Sequence, residues 1–589
     1  MKRQFSVNFE ILAYAGAFLL AAGLRLAKPT WPLLTDDQAA QALAAAAASR
    51  IPMALPVPEA ISAAVNPLYH AWTSILFQIA GLSDATARLL GALAGTGLVL
   101  VPWFLRPVLG RWPSVIGAWL LAIAPILVTS SRAPDGGMTA LLVIGLGLAG
   151  YLTWPQTSWA NLALGACIGL VAAAGPEAAA GLAGVGLGSL LYLALRKRVL
   201  DPLPRPAERD WRVVGAAGVG AFLLASTALG FVPSALPAAL GAAGAWLAGW
   251  GSVPEVSGLT LLAAFAIYQP LWVVLGIAGI LSASARRSAA GGWLTCWTLG
   301  GLAVAIIYPG RSLQLMIWPT AAISVLAGLA LADLAIELRQ RAGWPSRLGL
   351  GLAMLLVLGF GGLQLMSYAE GSLAASTPLL GPAQQLFLAA AALLLAAFMA
   401  VLIGLGWSWR EAVVVSGSVA ITLTALLGVA ATWRLNYSGW AGTGQELANR
   451  TTSTLGQRLL AESIDTLAGA RRESADPVTL QVYGELPPSM AWSLRRAPVE
   501  WLPDGATEAA GIVLLPEQEY DLRSASLRDE YRGQSLATRA SWGWSGLLPP
   551  GLLNWYFRAV APVNLERWVL LVRSDLVVPD VLPGGDLQP

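Results

Sequence analysis

Two carboxylates stand side by side at Asp36 and Asp37, in the stretch "LLTDDQAAQA", just after a long apolar run ends. Adjacent like charges repel, so the pair costs free energy unless something uses it. A carboxylate in apolar surroundings holds its proton more tightly than in water and can work as a general base. Three further polar features follow along the chain. They are Tyr69 and His70 in "PLYH", Arg132 and Asp135 in "SSRAPDGG", and Arg311 in "YPGRSLQ". An arginine can hold a phosphate through paired hydrogen bonds. The set suits a base that activates an acceptor hydroxyl while an arginine holds an anionic leaving group. Each residue also has a structural reading. Thr35 or Asp36 can cap the alanine-rich helix that follows, with both carboxylates favouring its dipole. Asp135 can cap the next span, and Arg132 and Arg311 can anchor at a membrane interface. His70 can be an interfacial polar residue, and Glu177 in "AAGPEAAAG" can cap a turn.

The elements that must position these residues are apolar. Of 589 residues, 56% are hydrophobic and only 12% are charged; the mean hydropathy is +0.64. Soluble domains are about 45–50% apolar and about 25% charged. Runs of about 20 apolar residues recur from Asn8 to Ala431, each long enough to cross a bilayer core of about 30 Å. The chain reads as an all-α polytopic membrane protein. Its net charge of +3 gives no sign of nucleic-acid binding, and nearly all its basic residues are arginine. His70 is the only histidine, which excludes zinc sites built on several histidines. Cys167 and Cys296 fall inside apolar runs, with neither a disulfide framework nor metal spacing.

About 13 transmembrane helices are expected, over residues 8–27, 85–105, 113–130, 137–153, 159–174, 178–195, 213–231, 259–281, 290–307, 313–335, 348–367, 386–406 and 411–431. The first is expected to be an uncleaved span rather than a signal peptide. Basic residues concentrate in cytoplasmic loops near span ends. With the N-terminus inside, the inner loops hold Lys2, Arg3, Arg106, Arg111, the cluster in 196–212, Arg286, Arg287, Arg339, Arg341, Arg347 and Arg410. The outer loops hold Arg25, Lys28, Arg50, Arg88, Arg132 and Arg311. The segment 66–81 is short for a span, and crossing there would invert every later loop, so it is read as an outer juxtamembrane helix.

The expected domains are a membrane domain, 1–432, with an outer loop at 28–84, and a soluble domain, 433–589. The tail carries 32 of the 69 charged side chains. Helical spacing runs through 444–472, and "VTLQVYG", "GIVLLP" and "RWVLLVRS" read as strands. The tail is a small C-terminal α/β domain, extracytoplasmic under this topology.

The order of motifs resembles the GT-C superfamily of membrane glycosyltransferases, in its protein mannosyltransferase and aminoarabinose transferase branch. An acidic pair opens the first outer loop; Pro67, Leu68 and Tyr69 follow, then Gly81, Asp84, Arg88 and Leu89; "LVTSSRAPDGG" closes the third span. The likeness covers about residues 8–195, and 290–335 loosely. It implies transfer of a sugar from a polyprenyl-phosphate donor to a lipid, glycan or protein acceptor on the outer face of the plasma membrane. Asp36 takes the place of the base. Asp37 and Asp135 would shape the site or hold a divalent metal where one is used, and Arg311 would contact the donor phosphate. No other cofactor is implied. The chain departs from the pattern at Asp37, where glutamate is more usual, and at Asn66, where a proline is. Ala174 stands before Gly175-Pro176 where a lysine is common. The rival reading is a transporter or flippase-associated protein without transferase activity. Transporters place ionisable sites near the bilayer midplane, and these apolar runs carry very few.

Overall fold

The computed structural model describes residues 9–53, 66–196, 208–339, 344–371, 381–438, 443–470, 478–502, 510–527 and 530–576. Lys2, Arg3, Arg341 and most of the 196–212 cluster lie outside them.

The first part is helical. After α1 (Phe9–Leu26) come two loop helices, α2 (Asp36–Ala48) and α3 (Pro67–Ala80). Then follow α4 (Asp84–Leu98), α5 (Val101–Leu109), α6 (Arg111–Ile123), α7 (Pro125–Ser131), α8 (Gly137–Thr153), α9 (Ser158–Ala173), α10 (Pro176–Arg196), α11 (Trp211–Ser226) and α12 (Leu236–Ala248). The bundle finishes with α13 (Gly258–Tyr268), α14 (Pro270–Ala285), α15 (Ala289–Ile307), α16 (Ile317–Arg339), α17 (Trp344–Gly371), α18 (Pro382–Gly406) and α19 (Trp409–Asn436). Among the described residues, eight helical stretches are long and apolar enough to cross a membrane, or up to 10 if two bent pairs each count as one span. α8, α9 and α11 are apolar but shorter; 16 residues of helix rise only about 24 Å.

Two expected spans are broken by proline. α6 and α7 meet at 58°, and α13 and α14 at 94°. Pro125 has no N–H, so the Leu121 carbonyl four residues back loses its helical partner. Arg25, 2% exposed near the end of α1, supplies the replacement. Its guanidinium donates to the carbonyls of Leu121 (3.2 Å) and Ala122 (3.0 Å). Thr432 Oγ1 of α19 covers Ile123 in the same way at 3.1 Å. The kink thus joins α1 and α19. The run expected over 213–231 ends its helix at Ser226, where Ala228, Leu229 and Gly230 adopt positive φ.

Small residues let α10 and α15 pack closely. A Cβ on Gly188 of α10 would lie 2.6 Å from the Cys296 carbonyl oxygen of α15, and one on Gly300 would lie 2.5 Å from that of Gly184. Neither can be filled without parting the helices.

α3 begins and ends at one end of the bundle. Asn66, its N-cap, donates to Ala174 O at 2.6 Å, while Gln78 in its last turn donates to Ser49 O at 3.2 Å. Phe77 packs on Trp492 of the C-terminal region, ring centroids 5.8 Å apart.

That region forms β1 (Thr451–Ser453), α20 (Leu455–Ala470), β2 (Val478–Val482), α21 (Pro488–Leu494), β3 (Val499–Leu502), β4 (Ile512–Pro516), α22 (Glu517–Leu527), β5 (Tyr531–Trp542), α23 (Leu552–Arg558) and β6 (Val563–Arg573). One six-stranded sheet runs β1-β5-β6-β4-β2-β3. β2 is parallel to β3 and β4; the β1, β5 and β6 pairings are antiparallel. α20 covers one face through Leu460 and Ile464, against Leu480, Ile512, Leu514 and Leu570. The helix expected across 444–472 is corrected here. Thr451, Thr452 and Ser453 pair with β5, and the helix starts only at Leu455. β-branched residues suit a strand, and the β5 edge offers one.

Candidate functional site

Asp36 occupies the first turn of α2, after Thr35 as N-cap. Gln38 Oε1 accepts the Thr35 N–H at 3.4 Å, one arm of a capping box. The helix start is therefore held without the Asp36 carboxylate, which points into the sheet domain. Its Oδ1 accepts the Ser489 N–H at 3.2 Å, and its Oδ2 lies 3.1 Å from Arg539 Nε. Beneath it Ala39, Ala42 and Leu43 pack with Tyr69, Phe77, Ala491 and Trp492 in one buried cluster. The acidic pair therefore lies at the joint of bundle and sheet domain.

Asp37 has a different environment. Burial, then the carboxylates of Glu255 and Asp36, push its carboxyl above the usual carboxylate range, and Arg539 opposes them. One turn on, Gln41 Oε1 accepts the Asn66 N–H at 3.0 Å. Asn66 Oδ1 accepts the Tyr69 N–H at 3.2 Å and so caps α3. Its side chain leaves no room for a Cβ on Gly136, and Gly175 is close on its other side. Asn66 is thus the link from α2 to the loop that carries Asp135.

Asp135 accepts the Gly137 N–H and shares a hydrogen bond with the carboxyl group of Glu177 in α10. Burial raises the Asp135 carboxyl above its usual range. Two carboxyl groups this close keep a shared proton more readily than two charges.

The arginines are occupied by main chain. Arg132 donates to the carbonyls of Leu24, Arg25, Ala27, Lys28 and Trp31, at 2.6 to 3.3 Å. These include carbonyls at the end of α1 that have no helical partner. Arg88 donates to Pro29 and Pro32. Together they fix the linker from α1 to α2. The closed space they line with Thr35, Gln38 and Asn436 measures about 30 Å³, room for about one water. Arg311 donates to Val256 O at 2.6 Å and Ile306 O at 2.9 Å, pinning the loop that carries Glu255. Tyr69 is fully buried, its hydroxyl on Ala87 O at 2.9 Å. His70 Nδ1 is buried without a hydrogen-bond partner, and burial pushes the imidazole down to about 4. Among the described residues no three His, Cys, Asp or Glu side chains converge as a metal set.

No family model matches the chain. No curated protein matches it. Solved structures do. ArnT from Cupriavidus metallidurans bound to undecaprenyl phosphate superposes with a TM-score of 0.53 at 14% identity, over 98% of this chain and 100% of that one. Apo ArnT gives 0.53 at 15%, over 97% and 99%. The chain shares the fold of ArnT. The apo oligosaccharyltransferase of Archaeoglobus fulgidus is a more distant match, with a TM-score of 0.45 at 15% identity, over 91% of this chain and 70% of that one.

Within this fold, Asp36, Asp37, Asp135, Tyr69 and Arg132 are gathered around α2, the start of α3 and the loop before α8. Arg311 reaches this region only through the Val256 carbonyl beside Glu255. The charged neighbours of Asp37 are Glu255, Asp36 and Arg539, while Asp135 pairs with Glu177. Sequence reasoning left out Arg539, Ser489, Glu255 and Gln41, and took Glu177 only as a turn cap. Nothing in the local pattern of β5 marks Arg539. Glu177 carried a usable signal, as a carboxylate one residue after Gly-Pro in an apolar run.

Proposed function

We propose that this chain is a membrane glycosyltransferase that moves a sugar from a polyprenyl-phosphate donor to an acceptor hydroxyl on the outer face of the plasma membrane. One observation carries the reading. The chain shares its fold, nearly end to end, with a protein solved bound to undecaprenyl phosphate, and it sets Asp36 at the joint of bundle and sheet domain. Fold alone assigns no chemistry, so the site must supply it. The Asp36 carboxylate takes the proton of the acceptor hydroxyl. The acceptor oxygen bonds to the anomeric carbon as the bond to the phosphate oxygen breaks, and polyprenyl phosphate leaves. Attack from the opposite side inverts the anomeric centre. Asp37 and the Asp135–Glu177 pair shape the acidic side of the site. Asp37 and Asp135 stand in separate clusters with different neighbours, so no step is routed through a divalent cation. Tyr69 and Arg132 hold the loops that present these groups, and Arg311 pins the loop that carries Glu255. The bundle crosses the membrane 13 times, the broken pairs counting once each, with the N-terminus inside.

A transporter would need its polar site near the midplane. The sharpest break, at Gln269–Pro270, follows Tyr268, which donates to Glu446 and packs beside Trp555 of the C-terminal region. That break belongs to the sheet-domain end.

The test uses the full chain in nanodiscs with tritiated undecaprenyl-phosphate-linked mannose, glucose, arabinose and aminoarabinose, and envelope fractions as acceptor. Label should pass from at least one donor with wild type and from none with Asp36→Asn. Undiminished transfer by Asp36→Asn overturns the assignment.

A further inference from the structure

Three contacts reach the start of α2 from the sheet domain. Ser453 of β1 donates through Oγ to Leu34 O at 2.6 Å, two residues before Asp36. The Ser489 N–H of α21 reaches Asp36 Oδ1, and Arg539 of β5 reaches Oδ2. Ser453 and Arg539 are register partners across the β1–β5 pair, so two of the contacts come from one rung of the sheet.

The strand is shaped at this rung. β5 pairs with β6 up to Ala537, opposite Arg567, and resumes at Arg539, opposite Glu566. Thr538 is an extra residue. A β-bulge of this kind bends the strand and re-aims the next side chain. The re-aimed side chain is Arg539. Glu566 Oε2 lies 3.4 Å from its Nη1, and its Nε is left to Asp36. The guanidinium is held by carboxylates on two sides while the side chain stays 35% exposed. An arginine used only to glue two domains would be expected in the dry part of the joint, as Arg434 is, at 11% exposure on Glu446.

We propose that Arg539 is a positioning residue of the transfer site, holding the Asp36 carboxylate in place from the sheet domain, so that bundle and sheet domain form one active unit. The inference rests on the reading of Asp36 as base. Asp36 needs no carboxylate contact to cap α2, because Thr35 and Gln38 do that, so the Arg539 contact sets where the carboxylate points. Misplacing a reacting group by about 1 Å costs roughly a hundredfold in rate.

The experiment has two arms on the full chain in nanodiscs. The first needs no substrate. A water-soluble carbodiimide with glycine methyl ester labels accessible carboxylates, read by peptide mass spectrometry. Arg539→Gln should label Asp36 at least about fivefold faster than wild type, with Asp135 labelling and the melting temperature unchanged; Arg539→Lys should fall between. Equal Asp36 labelling in wild type and Arg539→Gln overturns the proposal. The second arm measures transfer from the donor that wild type uses. Arg539→Gln should lose kcat about ten- to hundredfold with the donor KM within about twofold, and Arg539→Lys should recover part of it. A matched loss in kcat and KM with a lower melting temperature marks a mere strut and overturns the proposal. Full transfer by Arg539→Gln beside an inactive Asp36→Asn overturns it alone. Full transfer by Asp36→Asn overturns the glycosyltransferase reading itself.

Discussion

The carboxyl groups of Asp135 and Glu177 share a hydrogen bond between the loop before α8 and the first turn of α10, with the Gly137 N–H on the Asp135 side. Burial raises the Asp135 carboxyl above its ordinary value of 3.8. In the unfolded chain it ionises near that value; in the folded chain it keeps its proton to higher pH. Its contribution to stability is therefore complete below about pH 4 and is lost as pH rises through the folded value. The apparent melting temperature in detergent should fall over that window. One proton of difference corresponds to a slope of about 1.4 kcal/mol per pH unit. Asp135→Asn keeps an acceptor and removes the titration, so its profile should be flatter. An unchanged slope would show that the pair does not share a proton.

His70 gives a contrasting expectation. Burial holds its imidazole down to about 4, so it is neutral at neutral pH. A lowered value means that the ring gains its proton only under acid conditions. If transfer rates vary between about pH 6 and 8, His70 is not the cause. His70→Gln should keep the shape of the pH–rate profile over that range. A profile that flattens in the variant would contradict the burial seen here.

The apolar pattern made most of the bundle legible. Every apolar run expected to span is largely helical, because about 20 such residues in a bilayer have to satisfy their own backbone, although the run over 213–231 leaves its helix at Ser226. The breaks at Pro125 and Pro270 were written in the sequence as well, but span length dominated the reading. The sheet domain was less legible. β2, β4 and β6 announce themselves as apolar runs, whereas β5, "YRGQSLATRASW", has four exposed residues in succession and no clean alternation. Its pairing with both β1 and β6 decides it. The site divides in the same way. Asp36, Asp37 and Asp135 could be found as carboxylates at the ends of apolar runs. Arg539 could not, because 503 positions separate it from Asp36 and only a bulge turns it there.

Arg25 and Pro125 are a compensating pair. Arg25→Leu should leave the Leu121 and Ala122 carbonyls unpaired in the interior, at about 1–3 kcal/mol for each. Pro125→Ala alone returns an N–H to Leu121 and should cost little. In the double variant the new N–H serves the carbonyl that Arg25 abandoned, so the loss should be smaller than in Arg25→Leu. Apparent melting temperatures of the four proteins give the cycle directly. Additive losses would mean that Arg25 acts through packing alone.

Arg434 and Glu446 join α19 to the segment that leads into β1. Arg434 Nε lies 2.7 Å from Oε1 and Nη2 2.9 Å from Oε2, and Tyr268 donates to Oε2 at 2.5 Å. The Arg434 guanidinium also stacks over Trp555, 4.7 Å from the ring centroid. Breaking a buried pair from one side strands the other charge, at about 3–5 kcal/mol. Glu446→Gln and Arg434→Met should each lower the midpoint of thermal unfolding by that mechanism. The double variant should lose less than the sum, because neither charge is then left alone. Equal loss in the double variant and the sum of the singles would remove the pair from the joint.

The orientation of the whole molecule can be tested at one point. At the end of the bundle away from Asp36, the arginines are satisfied locally: Arg111 lies 2.7 Å from Glu10, Arg286 2.7 Å from Asp333 and Arg347 2.7 Å from Glu411. Arg106, Arg287 and Arg410 belong to the same end. Basic residues near span ends favour the cytoplasm, so this end should face inward. Asp36 contacts Ser489 and Arg539 directly, so the sheet domain and the acidic pair must share one side of the membrane. Alkaline phosphatase fused after Pro589 should therefore be active, and a green fluorescent protein fused there through the general secretion route should be dark. The reverse result would place Asp36 in the cytoplasm along with the sheet domain, and the proposed reaction would have to draw its donor from the inner face.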